Sequence, residues 1–232
     1  MIHPVRIDKK HRYWARQPEI QVPGFTEICN AMGVTRPNPH HTEQGRAEGV
    51  ALHLWLGFLV RGKVPKTAPD PLISGRVEGI KKFIIDTRFK IIGGEEPRYD
   101  PVTNAACTKD LWGHIGLWSI VIDAKRGAKQ LSHRLQTACQ KICLAANDFR
   151  AQKRAALYLR DGDFRLDEHS GPEDEKNWRA IAEGYHTMTP DERAVFASDE
   201  FIEDPNPANV TSDLKKWRSI INAHNARSFY RR

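Results

Sequence analysis

Long apolar runs are missing from this chain: none approaches the ~18 consecutive residues that a membrane-spanning helix needs, so a soluble protein is expected. The opening stretch MIHPVRIDKKHRYW carries charge but no apolar core of signal-peptide length, and secretion is not expected either. Cysteine is scarce, with four in 232 residues (Cys29, Cys107, Cys139 and Cys143). Their irregular spacing speaks against a disulfide framework and for reduced thiols in a cytoplasm. Internal repeats and low-complexity tracts are also lacking, which excludes a repeat architecture.

What is present points to a folded, basic domain. A hydrophobic content of 40% with six Trp argues against disorder. A length of 232 residues suits one domain with extensions. With 36 Lys and Arg against 29 Asp and Glu, the formal charge is +7, and a pI near 9.3 suggests an anionic partner such as nucleic acid.

Residues 1–39 are rich in Pro and charge. Within them VPGFTEICNAMGV reads as a turn and a short helix, capped by Thr26 and ended by Gly33. From about Thr42 to Val60 the spacing is helical, with Val50, Leu54 and Phe58 recurring at fours and Leu52, Leu56 and Leu59 widening the apolar face. After the Pro-rich RGKVPKTAPDPLIS, a second amphipathic helix runs through GRVEGIKKFIIDTRF, with Val77, Ile80 and Ile84 on one face and Lys81, Lys82 and Arg88 on the other. Three strand-like runs follow, around GEEPRYD, around NAACTKDLWG, and LWSIVIDAK, close enough to be antiparallel neighbours. QLSHRLQTACQKICLAAND returns to helical period, and RAALYLRDGDFRL reads as a hairpin turning at Asp161 and Gly162. The rest, from about Glu168, is charged and helical, punctuated by DPNPAN and closing with SDLKKWRSIINAHNARSFYRR. The order gives an α/β (α+β) fold, a small mixed sheet with a three-stranded meander flanked by helices.

The chemistry sits in IVIDAKRG, residues 120–127. Alternation in an extended chain puts Val121, Asp123 and Lys125 on one face and Ile120, Ile122 and Ala124 on the other. An acid and an amine can therefore address one ligand, although Asp-x-Lys alone is also what a solvated strand end looks like. Asp110 lies in the preceding strand, and across the short GHIGLW connection it can come beside Asp123. Two carboxylates so placed repel unless a cation sits between them, and an oxygen-rich site suits Mg²⁺ or Mn²⁺. Beside a metal-held phosphate Lys125 could orient or help deprotonate the attacking water and offset charge developing in the transition state. An arginine there could not readily shed a proton.

Taken in order, GVALHLWL, GEEPRYDP, ACTKDLWG, IVIDAKRG and HRLQTACQ resemble the RecB-like branch of the PD-(D/E)XK nuclease superfamily, phage-type exonucleases in particular, over roughly residues 10–167. The resemblance implies a restriction-endonuclease-like core within residues 1–167 and a helical extension, 168–232, packed on the same domain. It implies a Mg²⁺ or Mn²⁺ ion held by His53, Glu95, Asp110, Asp123 and the backbone carbonyl of Ala124. Lys125 would be the catalytic amine, and Gln136 would hold substrate or that lysine. Glu96 is the alternative to Glu95, alternation favouring Glu95 if Tyr99 shares the buried face. Read alone, His53 would be a core histidine and Gln136 a helix-surface amide.

The implied activity is that of a metal-dependent DNA exonuclease of a phage or prophage, acting in the bacterial cytoplasm. A structure-selective or nicking endonuclease with the same site, or a DNA-binding recombination protein whose centre has decayed, are the alternatives. DNA is the implied partner; the resemblance also allows a single-strand annealing protein and an oligomer, and involves no membrane. Iron–sulfur clusters of this superfamily use one early and three C-terminal cysteines; nothing clusters at this C-terminus, so no cluster is expected and the cysteines read as small core residues. Two positions depart from the family pattern: Cys107 stands where Gly is common, and Gln140 where an aromatic is common. The basic residues Lys81, Lys82, Arg126, Lys129 and Arg134, with Lys141, Lys153 and Arg154, could line a DNA groove or simply form a solvated face. The closing RSFYRR could stack on bases or tether the tail.

If the charge of +7 reports a nucleic-acid surface, DNA affinity measured in EDTA should fall at least ~10-fold between ~50 and ~200 mM salt. A log–log slope near zero in a fluorescence-anisotropy titration would contradict it.

Overall fold

The computed structural model describes residues 5–7, 12–16, 19–35, 42–63 and 68–196. The helices expected after DPNPAN, the RSFYRR tail included, lie outside the described residues.

The alternation in IVIDAKRG is realised in the strand Trp118–Lys125, here β8 in a chain-order numbering of the ten strands and six helices among the described residues. Ile120, Ile122 and Ala124 pack into one apolar cluster with helices α2 (Glu43–Val60) and α3 (Pro71–Thr87), while Val121 faces the other side with Trp112 and Leu144. The helix after this strand, α4 (Leu131–Ala145), crosses over to β9 (Lys153–Leu159), which lies parallel to β8. A parallel pair needs such a crossover, because a tight turn can join antiparallel strands only. β9 then turns at Asp161 and Gly162 into antiparallel β10 (Phe164–Glu168), with Gly162 at φ +66°.

On the other side of β8 lie β7 (Leu111–Ile115) and β4 (Lys90–Gly93), completing a five-stranded mixed sheet in the order β10-β9-β8-β7-β4. The sheet does hold three successive antiparallel strands, but they are β4, β7 and β8 rather than the three runs expected. NAACTKDLWG bends at Asp110 and divides into β6 (Ala105–Lys109) and β7. β6 turns back to pair with β5 (Glu96–Asp100) in a separate two-stranded ribbon. The four-residue β4 was not foreseen, nor was the small N-terminal sheet of β1 (Val5–Ile7), β2 (Tyr13–Arg16) and β3 (Glu19–Val22). All are short, and alternation has little length in which to show.

Two helix readings need correction. Helix α1 (Phe25–Ala31) begins at Gly24, without a side-chain cap, so Thr26 lies inside its first turn. In α2, capped by Thr42, the residues turned inward are Leu52, Trp55 and Leu56; Val50, Leu54 and Phe58 are 57%, 60% and 39% exposed. The repeat at fours is real but faces away from the core.

Helix α5 (Pro172–Thr187) closes the opposite face, its Trp178 and Ile181 packing with Leu135, Ala138 and Cys139 of α4 and with Phe25 and Ile28 of α1. Its N-terminal turn is fixed by charge. Arg154 donates to Asp174 Oδ2 at 2.6 Å and to the Gly171 carbonyl at 2.7 Å, with side chains 2% and 6% exposed. Arg154 is therefore an internal tie and cannot line a DNA groove.

Arg154→Ala should cost about 3–5 kcal/mol, since it leaves Asp174 buried with one partner fewer, and pairing it with Asp174→Leu should return much of that loss. Urea denaturation checks both; a single-variant loss below ~1 kcal/mol would show the tie to be marginal.

Candidate metal centre

Asp110 stands at the bend between β6 and β7, where the register pairs its neighbour Leu111 with Ile122. It thereby comes beside the end of β8, and its Oδ2 accepts the backbone N–H of Ala124 at 2.6 Å. Asp123, on the α4 side of the same strand, accepts through Oδ1 from Gln140 Nε2 at 2.7 Å. Its Oδ2 lies 2.5 Å from Lys125 Nζ as an ion pair, although no hydrogen-bond donor is aligned on that buried oxygen. Lys125 Nζ in turn donates to Gln136 Oε1 of α4 at 2.8 Å.

His53 reaches the same point from α2. Its Nδ1–H donates to Glu95 Oε1 at 3.0 Å and lies 3.4 Å from Asp110 Oδ1. Glu95 comes from the turn between β4 and β5, outside any strand, so alternation does not set its direction. It holds a left-handed backbone, φ +52°, which a side chain other than Gly rarely adopts. The residue before it explains the close approach: a Cβ on Gly94 would meet the Asp110 carbonyl oxygen at 2.1 Å. Glu96 points elsewhere, to Arg98.

The structure thus gathers His53, Glu95, Asp110, Asp123, Lys125 and Gln136, with Ala124 represented by its N–H. Ligand atoms of His53, Glu95 and Asp110 all lie within 4.8 Å of one another. Burial and the neighbouring Asp123 charge raise the Asp110 carboxyl to about 7. The field of Asp110 and the hydrogen bond to Glu95 raise the His53 imidazole to about 9. A proton on His53 therefore stands where a cation would satisfy the acids. Two carboxylates, Glu95 and Asp110, with one imidazole form a hard, oxygen-rich donor set that fits Mg²⁺ or Mn²⁺, and Asp123 lies beside it with its Oδ2 ion-paired to Lys125.

Gln140 is a residue the sequence reading placed outside the site. It holds Asp123 while also donating to the Thr108 carbonyl at 3.3 Å. Its place one helical turn after Gln136 on α4 was the available signal. Beside the carboxylates opens a cavity of ≈ 810 Å³ bordered by Arg12, Val50, His53, Leu54, Arg61 and Gln136, among others. The outward stripe of α2 is one of its walls. None of Lys81, Lys82, Arg126, Lys129 and Arg134 borders this cavity. Each is ion-paired instead, with Glu78, Asp163, Glu48, Asp167 and Asp174 respectively. Lys141 and Lys153 pair with Glu175 and Glu168.

No family model and no curated protein matches the chain. Among solved structures, it is similar to the alkaline exonuclease LHK-Exo from Laribacter hongkongensis, at 12% identity over 90% of this chain and 94% of that one, with a TM-score of 0.37. It is similar to LHK-Exo in complex with dAMP at 11% identity, 91% and 95% coverage, and a TM-score of 0.36.

Because the His53 imidazole sits at about 9, it is charged at neutral pH and a cation must displace its proton. Mn²⁺ affinity should therefore rise about 10-fold per pH unit from ~7 to ~9 and level off above. Below about 7 a proton on Asp110 competes as well. His53→Ala should flatten the upper part of the profile. Calorimetric titration across this range checks it, and a parent affinity independent of pH would remove His53 from the centre.

Proposed function

We propose that this chain is a divalent-metal-dependent deoxyribonuclease of the RecB-like PD-(D/E)XK type, acting as an exonuclease. The observation that supports the reading is the convergence of Asp110, Asp123 and Lys125 with His53 and Glu95, next to a cavity that His53, Glu95, Asp110 and Gln136 border. Separate elements supply these groups: α2, the β4–β5 turn, the β6–β7 bend and β8. A solvated strand end needs none of the others.

The reading takes residues 1–167 as a restriction-endonuclease-like core and 168–232 as an extension packed on it. It takes the protein to come from a phage or prophage and to work in the bacterial cytoplasm, with a single-strand annealing protein as a fitting second partner. No described helix is long and apolar enough to cross a membrane.

When bound at His53, Glu95, Asp110, Asp123 and the Ala124 carbonyl, Mg²⁺ or Mn²⁺ would polarise the scissile phosphate and make a nearby water more acidic. The remaining work falls to the chain. Lys125, steadied by Gln136 and Asp123, orients the attacking water and offsets the negative charge that grows on the phosphate. Gln140 keeps Asp123 turned toward the centre. Arg12 and Arg61 on the cavity border receive the phosphates that flank the cut, and Val50 and Leu54 give the sugar or base an apolar flank.

Lys125→Ala should lower cleavage by ~10²–10⁴-fold, the range of a lost proton-transfer group, with Mn²⁺ affinity retained. Asp123→Ala should lose both cleavage and Mn²⁺ binding, and an aspartate variant that bound Mn²⁺ as the parent does would sink that assignment. End-labelled linear and closed circular DNA, each with Mg²⁺ and with EDTA, test the mode. End-dependent loss is expected; cut circles would replace it with the endonuclease, and binding without loss with the decayed recombination protein.

A further inference from the structure

Cys107, Cys139 and Cys143 meet where α4 packs on β6. Cys107 points up from β6, and Cys139 and Cys143 point down from successive turns of the helix. All three are buried free thiols, and their sulfurs lie within 4.8 Å of one another. Small size explains a cysteine in a core, but packing alone does not require three sulfurs in mutual contact. The fourth cysteine, Cys29, shares the core but not the group.

A second observation points the same way. Lys109, two residues after Cys107 on the same face of β6, is 0% exposed, and its Nζ has no hydrogen-bond partner. The amine lies 5.4 Å from the centroid of the Trp112 ring. A buried ammonium without a directly bonded acid is costly unless anionic charge lies in reach.

We propose that Cys107, Cys139 and Cys143 form a three-thiolate site for one thiophilic divalent cation of the Zn²⁺ or Cd²⁺ class, distinct from the carboxylate centre. On binding, three S–H bonds give way to three S–metal bonds, three protons leave to solvent, and no oxidation state changes. Three thiolates and a divalent ion sum to one negative charge, which the Lys109 ammonium neutralises. Metal–sulfur bonds of ≈ 2.3 Å place tetrahedral ligands about 3.8 Å apart, so the sulfurs need to close by about an ångström at most. Cys107 borders the large cavity, which supplies an entry path and room for a fourth ligand.

The test is a Cd²⁺ titration of the full chain, refolded with a phosphine reductant and followed by thiolate-to-metal charge-transfer absorption, which carboxylates do not give. One equivalent per chain should develop the band, and Asp123→Ala and Cys29→Ala should keep it. Cys139→Ser and Cys143→Ser should each weaken Cd²⁺ binding beyond the ~10–100-fold typical of lesser, outer-shell changes. A folded parent without the band overturns the site, as does a band that Cys29→Ala abolishes or that survives unchanged in both serine variants. Should a serine variant fail to fold, the parent and Cys29→Ala spectra decide the matter.

Discussion

Two carboxylates, Asp110 and Asp123, are taken out of water side by side, 4% and 1% exposed, at the open end of the central sheet. Neither can carry its charge there unaided, and much of the local structure is the answer to that problem. A backbone N–H of β8 serves Asp110, a helix amide and a lysine serve Asp123, and a histidine from a third direction faces Asp110 and Glu95. Because those partners come from α2, β8 and α4, the acids bind three elements to one another as well as offering a ligand set. The pair lies where a strand bends between β6 and β7 and the parallel crossover from β8 begins, a point that α2 and α4 both reach.

The cavity beside them gives function to a feature that would otherwise be an error of packing. Val50, Leu54 and Phe58 are apolar and outward, and two of them form a wall. A helix that is apolar toward both a core and a cavity has a broader hydrophobic arc and a blunter amphipathic signature.

That is also why the sequence misled on α2 while it served well on β8. Periodicity reports that a face is apolar, not what covers it, and in α2 two apolar faces competed. In β8, one face of Ile120, Ile122 and Ala124 against the other of Val121 and Asp123 left no ambiguity. Asp110, Asp123 and Lys125 were legible because their neighbourhood is set by a short hairpin, whereas Gln140 and the convergence of Cys107 with Cys139 and Cys143 depend on how α4 lands on β6. Docking of that kind leaves no mark in local spacing. The basic residues were visible as charge but their partners were not: Arg154 is an internal tie, and Lys81, Lys82, Arg126, Lys129 and Arg134 are each ion-paired with an acid outside the carboxylate centre.

Glu95 combines a left-handed backbone with a carboxylate that accepts from His53 while lying within 4.8 Å of a second acid, Asp110. On both counts the folded state would be more comfortable with glycine there, which adopts that conformation freely and brings no charge. A stability screen, or a design procedure that scores folding alone, would therefore tend to erase this residue first and report an improvement. The positions such a procedure most wants to rewrite in this chain are a map of where something other than folding has been selected.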